Sequence, residues 1–172
     1  MTDNSPFIIS FPDNSTFTST PQPTGNAAYV SPEPDKLTEF SLATKNGTLG
    51  FLAHNYLAGK EFSKLRQGDV VSVVTPQNTA QKFVVADVQE YQATKPQSEY
   101  SDFIDTKDNR RYRGADVFKE VYGNQDGRGK LVLQTCIDKD GNDSWGRLFV
   151  IAYPYMPDPY EHQHGGGNGA DK

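Results

Sequence analysis

Hydrophobic and polar positions alternate in short runs along most of this chain, with turn residues between the runs. Leu37 to Lys45 alternates well enough to predict a strand, and Thr48 to His54 predicts a second. Between them stands Asn46-Gly47, the preferred pair of a two-residue type I′ hairpin, where both positions need positive φ. Val70-Val71-Ser72-Val73-Val74 predicts a third strand, rich in β-branched residues. Pro76-Gln77-Asn78 then turns the chain into a long strand from Gln81 to about Tyr91. Phe62 and Leu65, followed by Gly68, predict a helical turn or two before the third strand. From Ala93 to Arg128 the pattern weakens, and seven acids and seven bases displace the aliphatics. Within it, Val117 and Val121 ahead of Gly123 predict a short helix over Ala115 to Tyr122 with a glycine stop. Lys130 to Cys136 resumes the strand pattern, Asp140-Gly141 marks a turn, and Gly146 to Tyr153 is a last apolar strand. Many short strands and little helix predict an all-β domain with short helices, closed or nearly closed into a barrel.

Composition narrows the domain. Six of the eleven prolines lie in the first 36 residues, and four of the fifteen glycines lie in the last 16 of the 172. Such segments bury little apolar surface against their ordering entropy. They predict a flexible Pro/Ser/Thr-rich segment over 1–36, a folded domain over 37–156 and a flexible Gly-rich tail over 157–172. The net charge of −5 belongs to those flanks, leaving 37–156 with 15 acids and 15 bases. That balance lacks the basic face of a nucleic-acid binder. No run approaches the roughly 18 apolar residues of a membrane span, and Met1 to Pro6 has no signal-peptide character.

Candidate chemistry centres on the single cysteine, Cys136, which has no internal disulfide partner. It closes the strand Leu131-Val132-Leu133-Gln134-Thr135-Cys136, while Arg147 opens the next, and an antiparallel hairpin brings the two together. His54 closes the earlier strand Leu49 to His54. A neighbouring cation increases the thiolate fraction of a thiol. An imidazole donates a proton to a leaving amine. A guanidinium aimed at a carbonyl oxygen stabilises a tetrahedral intermediate. Together these residues suit acyl transfer.

Leu-Val-Leu-Gln-Thr-Cys at 131–136, with Arg147 eleven residues later at a strand start, resembles the signature of the sortases. Upstream, Leu52-Ala53-His54 with Phe62, Leu65 and Gly68-Asp69-Val70 is similar to that family's histidine segment. The resemblance implies a closed eight-stranded β-barrel and a cysteine transpeptidase, a thiol-dependent enzyme of the cell surface. Cys136 would attack the Thr–Gly bond of an LPxTG-like sorting signal, His54 would protonate the departing amine, and Arg147 would stabilise the oxyanion. Its partners would be the sorting-signal peptide of a surface protein and an amino nucleophile from peptidoglycan or pilin, with no cofactor. Family members are usually membrane-anchored outside the cell; this chain carries no anchor and reads as soluble. The polar stretch 93–128 corresponds to a wall of the family's substrate pocket. Thr135, Trp145, Tyr112 and Tyr122 are candidate substrate-binding residues, although the aromatics, Tyr100 included, equally suit packing.

Other readings stand beside this one. The L,D-transpeptidases also use Cys, His and Arg, but usually with the arginine close after a Gly-Cys pair, unlike Thr135-Cys136. A non-catalytic barrel module with a buried Cys136 is the non-enzyme rival. Arg147 could instead pair with Asp138, Asp140 or Asp143. Asp138 to Asp143 invites a calcium reading, yet its glycine is misplaced for an EF-hand and Phe149 occupies the twelfth position. His162 and His164 sit in the Gly-rich tail rather than in a metal-ligand pattern, so no metal is expected. Pro21-Gln22-Pro23-Thr24-Gly25 shares only the Thr-Gly end of a sorting signal and reads as a linker.

Overall fold

The alternating runs become strands in a computed structural model that describes residues 5–157. In chain order the elements are β1 (Ile8–Ser10), β2 (Thr16–Pro21), β3 (Lys36–Glu39), α1 (Ser41–Lys45), β4 (Leu49–Leu52), α2 (Gly59–Lys64) and β5 (Val70–Val74). They continue with β6 (Ala80–Ala93), β7 (Phe103–Asp105), β8 (Arg111–Tyr112), α3 (Gly114–Tyr122), β9 (Leu131–Lys139) and β10 (Asn142–Pro154). The strands follow the order β10-β9-β4-β3-β2-β1-β5-β6, and β6 pairs back onto β10. That return closes an eight-stranded barrel, with β7 and β8 continuing from β6. No helix among the described residues is long and apolar enough to cross a membrane.

The barrel corrects the expectation that 1–36 is a flexible flank. β1 and β2 are two of its eight staves, bridging β5 to β3. Ile9 is fully buried and Phe11 nearly so, both inside the barrel. Proline content misled because the prolines bracket the strands: Pro12 lies in the turn after β1, and Pro21 ends β2. The 21–25 segment is held as well, through a Gln22 amide that reaches the Ala27 and Tyr29 carbonyls and accepts from Ser41. The tail from residue 158, with His162 and His164, lies outside the described residues.

A second correction concerns Asn46-Gly47. β3 stops at Glu39 and one turn of helix follows, so these residues end α1 rather than form a hairpin. Asn46 has φ −94° and Gly47 φ +73°. Gly47 N–H donates to the Thr44 carbonyl (3.1 Å) and Thr48 N–H to the Ala43 carbonyl (3.0 Å), the pair of bonds of a Schellman helix stop. β3 and β4 still pair antiparallel, with Thr38 opposite Leu52. The type I′ signature falls instead at Asp140-Gly141, with φ of 54° and 76°, where it joins β9 to β10. Likewise α3 ends at Gly123 in extended backbone, with φ −65°.

Two apolar clusters flank the same strands. Inside the barrel, Leu131 and Leu133 of β9 and Leu148 and Val150 of β10 pack with Ile9, Leu37, Phe51, Phe62 and Val71. Outside, Val132 of β9 and Phe149 and Ile151 of β10 pack under Val117, Val121 and Tyr122 of α3. Burial on both faces explains why these two strands read as unbroken apolar runs.

The buried stave yields a prediction. Ile9→Ala removes a fully buried side chain and lowers unfolding stability by about 2–4 kcal/mol. Ile8→Ala, at a position 38% exposed, changes it by under about 0.5 kcal/mol. Denaturant unfolding of both variants checks the pair; equal, negligible effects would restore the flexible-flank reading.

Candidate active site

The site spans three neighbouring strands, but not at their ends as the sequence suggested: β9 runs on past Cys136 to Lys139, β10 starts before Arg147 at Asn142, and His54 lies just beyond the end of β4 at Leu52. In the β9–β10 ladder Cys136 stands directly opposite Arg147, so both side chains share one face. β4 runs parallel to β9 on its other edge, with Leu52 opposite Gln134. The ladder continues past β4, because Ala53 N–H donates to the Gln134 carbonyl at 3.3 Å. His54 follows Ala53 and opens the turn toward α2, its carbonyl accepting from Leu57 and Gly59. Cys136 and Arg147 thus share one rung of the β9–β10 ladder, while His54 lies just past the end of the neighbouring β4. Alternation puts Ala53 and Thr135 on the inner face and this rung on the outer one.

Both sides of the rung are braced by backbone carbonyls. The Thr135 hydroxyl donates to the Ala53 carbonyl at 2.7 Å, stapling the histidine strand to the cysteine strand. The His54 carbonyl accepts from the N–H groups of Leu57 and Gly59, both at 3.0 Å. Gly59 has to be glycine for space: a Cβ there would overlap Thr135 Oγ1 and lie 2.6 Å from the His54 carbonyl oxygen. Asn55 Nδ2 donates to the Asp143 carbonyl at 3.1 Å. Arg147 Nη1 donates to the Ser144 and Gly146 carbonyls (3.1 and 3.0 Å), and its Nη2 to the Pro96 carbonyl at 3.0 Å. Asp143 and Ser144 lie where the ladder register shifts between Asn142 and Gly146, a bulge that redirects their carbonyls.

Arg147 makes no ion pair with Asp138, Asp140 or Asp143, or with any other acid among the described residues. Its Nε–H and one Nη2–H are left uncommitted there. Cys136 is a free, half-buried thiol. It lines an open cleft of about 490 Å³ with Asn55, Tyr56, Lys60, Ser63, Glu90 and Asp138.

The substrate-binding candidates fare unequally. Thr135 is 3% exposed and its hydroxyl is engaged within the barrel wall, so it is a brace and offers no surface to a ligand. Tyr122 is fully buried beneath the outer cluster, and its hydroxyl donates to Gln134 Oε1. Burial holds that phenol neutral by pushing its pKa well above the ordinary value. Tyr112 packs edge-on against Tyr91 and lines a separate hollow with Asp105 and Asp116. Trp145 lies beside the bulge, beneath the Lys139 ammonium at 4.6 Å. Asn55, Tyr56, Lys60, Ser63 and Glu90 are cleft residues that sequence reasoning missed, because only the tertiary fold brings the turn after His54, α2 and β6 around Cys136.

The class this defines is a closed β-barrel with a thiol and an unneutralised guanidinium on one rung and an imidazole just past the end of the next strand. No family model and no curated protein matches the sequence. In structure the chain is similar to sortase A from Corynebacterium diphtheriae, at TM-score 0.56 and 12% identity, covering 92% of this chain and 64% of that one. It is likewise similar to the Clostridium perfringens sortase D5 transpeptidase, at TM-score 0.55 and 12% identity over 88% of this chain and 79% of that one. Listeria monocytogenes sortase A gives TM-score 0.53 and 12% identity over 89% and 88%. The fold is the sortase fold.

The brace between the two strands can be tested directly. Thr135→Val leaves the Ala53 carbonyl without its donor and costs about 1–3 kcal/mol, while Thr135→Ser keeps the bond and most of the stability. Thermal unfolding compares the two; a loss in Thr135→Ser with none in Thr135→Val would show that the methyl group, not the hydroxyl, carries the contact.

Proposed function

We propose that this domain is a sortase-type cysteine transpeptidase of the cell surface, acting on an LPxTG-like sorting signal. The observation that carries the reading is the pairing of Cys136 with Arg147 across the β9–β10 ladder, with His54 just past the end of the neighbouring β4. The fold and the open cleft at Cys136 support it.

Cys136, as the thiolate, attacks the threonine carbonyl carbon, and the carbonyl electron pair moves onto oxygen. The uncommitted N–H groups of Arg147 donate to that oxyanion in an electrostatic role. Collapse of the intermediate breaks the Thr–Gly C–N bond, and the departing glycine nitrogen takes its proton from the His54 imidazolium. This leaves a thioester on Cys136. An incoming amine from a peptidoglycan bridge or a pilin lysine attacks the thioester, loses a proton to His54, and expels the Cys136 thiolate as the new amide forms. The half-buried placement of Cys136 in an open cleft matters because both substrates must reach the thiol while the barrel below stays packed. The 93–128 segment contributes the Pro96 carbonyl that holds Arg147, which ties a substrate-side loop to the guanidinium.

The test is turnover of a fluorogenic LPxTG-type peptide with an added amine acceptor. Wild type should form the transfer product and a thioester adduct visible by mass spectrometry, and Cys136→Ala neither. His54→Ala should lower kcat by about 10²–10⁴-fold, and Arg147→Ala by about 10²–10³-fold. A folded protein in which Cys136 resists every small electrophile would sink the proposal.

A further inference from the structure

We infer that Tyr56 is the positioning residue of the His54 imidazole, an inference that rests on the acid–base role proposed for His54. Among the described residues the imidazole makes no side-chain hydrogen bond, so no carboxylate or carbonyl fixes its plane. Its ring contact is with Tyr56, at 5.1 Å between centroids and 21° between planes, a stacked arrangement. Tyr56 is 56% exposed and belongs to neither apolar cluster, so core packing does not account for its place. It lines the same cleft as Cys136.

The backbone builds this stack. The His54 carbonyl is bonded to the N–H groups of Leu57 and Gly59, which folds 54–59 into a tight turn. Asn55, between the two rings, is tied by its side chain to the Asp143 carbonyl on the β9–β10 hairpin. With the middle residue pinned to one side, the rings on either side of it meet face to face.

Stacking suits a group that must work in both directions. A hydrogen-bonded orienter occupies one ring nitrogen and favours one protonation state. A ring face restrains the imidazole plane while leaving Nδ1 and Nε2 open, and it accommodates both the neutral and the cationic ring. His54 can then give a proton to the leaving amine and take one from the incoming amine without changing its rotamer.

Two variants at this exposed position test the inference without threatening the fold. Tyr56→Phe keeps the ring, and Tyr56→Ala removes it. Proton NMR of the His54 ring, assigned with a His54→Gln control because His162 and His164 are also present, reports the ring current of the stacked neighbour. The peptide assay reports kcat and KM separately. Tyr56→Phe should keep the upfield His54 resonances and wild-type kcat. Tyr56→Ala should lose the upfield shift and lower kcat by about tenfold, with KM within about twofold. Wild-type resonances and kcat in Tyr56→Ala would overturn the inference, and so would a kcat loss in Tyr56→Phe as large as in Tyr56→Ala. Were the wild type inactive on every sorting peptide, the acid–base reading would fall, while the resonances would still decide whether Tyr56 holds the ring.

Discussion

Everything in this molecule hangs on β10 being paired along both edges and buried on both faces. Its ladder to β9 runs from Asn142 to Ala152, and its ladder to β6 from Gly146 to Pro154. The second ladder turns an open sheet into a ring, so the eight staves present no free edge and the sheet edge that remains is β8. Because Leu148 and Val150 face inward while Phe149 and Ile151 face outward, a slip by one residue would misfit both packed rows and turn the Arg147 charge into the barrel. Arg147, the next outward position, inherits that fixed register. So does Cys136, through its pairing with Arg147.

The hairpin that carries Cys136 and Arg147 was readable in the sequence because its cause is local. Asp140-Gly141 sets a type I′ turn, and β-branched and aliphatic residues on either side set the strands. β4 was readable as a strand, though it stops at Leu52 short of His54, and its place beside β9 comes from a parallel pairing that sets Leu49 opposite Leu131. Composition concealed β1 and β2 for the same reason. Three residues of Ile8–Ser10 make no pattern by themselves, and they become a stave only by closing the gap between β2 and β5. Asn46-Gly47 was ambiguous in principle, since a hairpin and a helix stop both reward glycine at positive φ. Ala43, fully buried beside Gly50, decided for the helix.

Two of the misplaced candidates were avoidable. If Cys136 faces outward, Thr135 must face inward by the period of a strand. Tyr122 follows Val121 on a helix whose Val117 already marks the buried side, so its ring goes under α3 rather than into a groove. Tyr56 was not avoidable. Its stack on His54 depends on Asn55 reaching the Asp143 carbonyl, a contact between residues 88 apart in the chain.

The way Arg147 is held has a consequence for the proposed chemistry. A carboxylate would have fixed the guanidinium more strongly, by a charge-assisted bidentate bond. It would also have cancelled much of the positive field that a developing oxyanion needs, and competed for the same N–H groups. Three carbonyls, from Ser144, Gly146 and Pro96, orient the side chain and leave its formal charge without a counter-ion. The acids of the preceding turn do not undo this, because none of Asp138, Asp140 and Asp143 pairs with the guanidinium. The bulge therefore does two things at once. It presents carbonyls to both Asn55 and Arg147, and it holds the guanidinium uncommitted on two N–H groups at the level of the thiol.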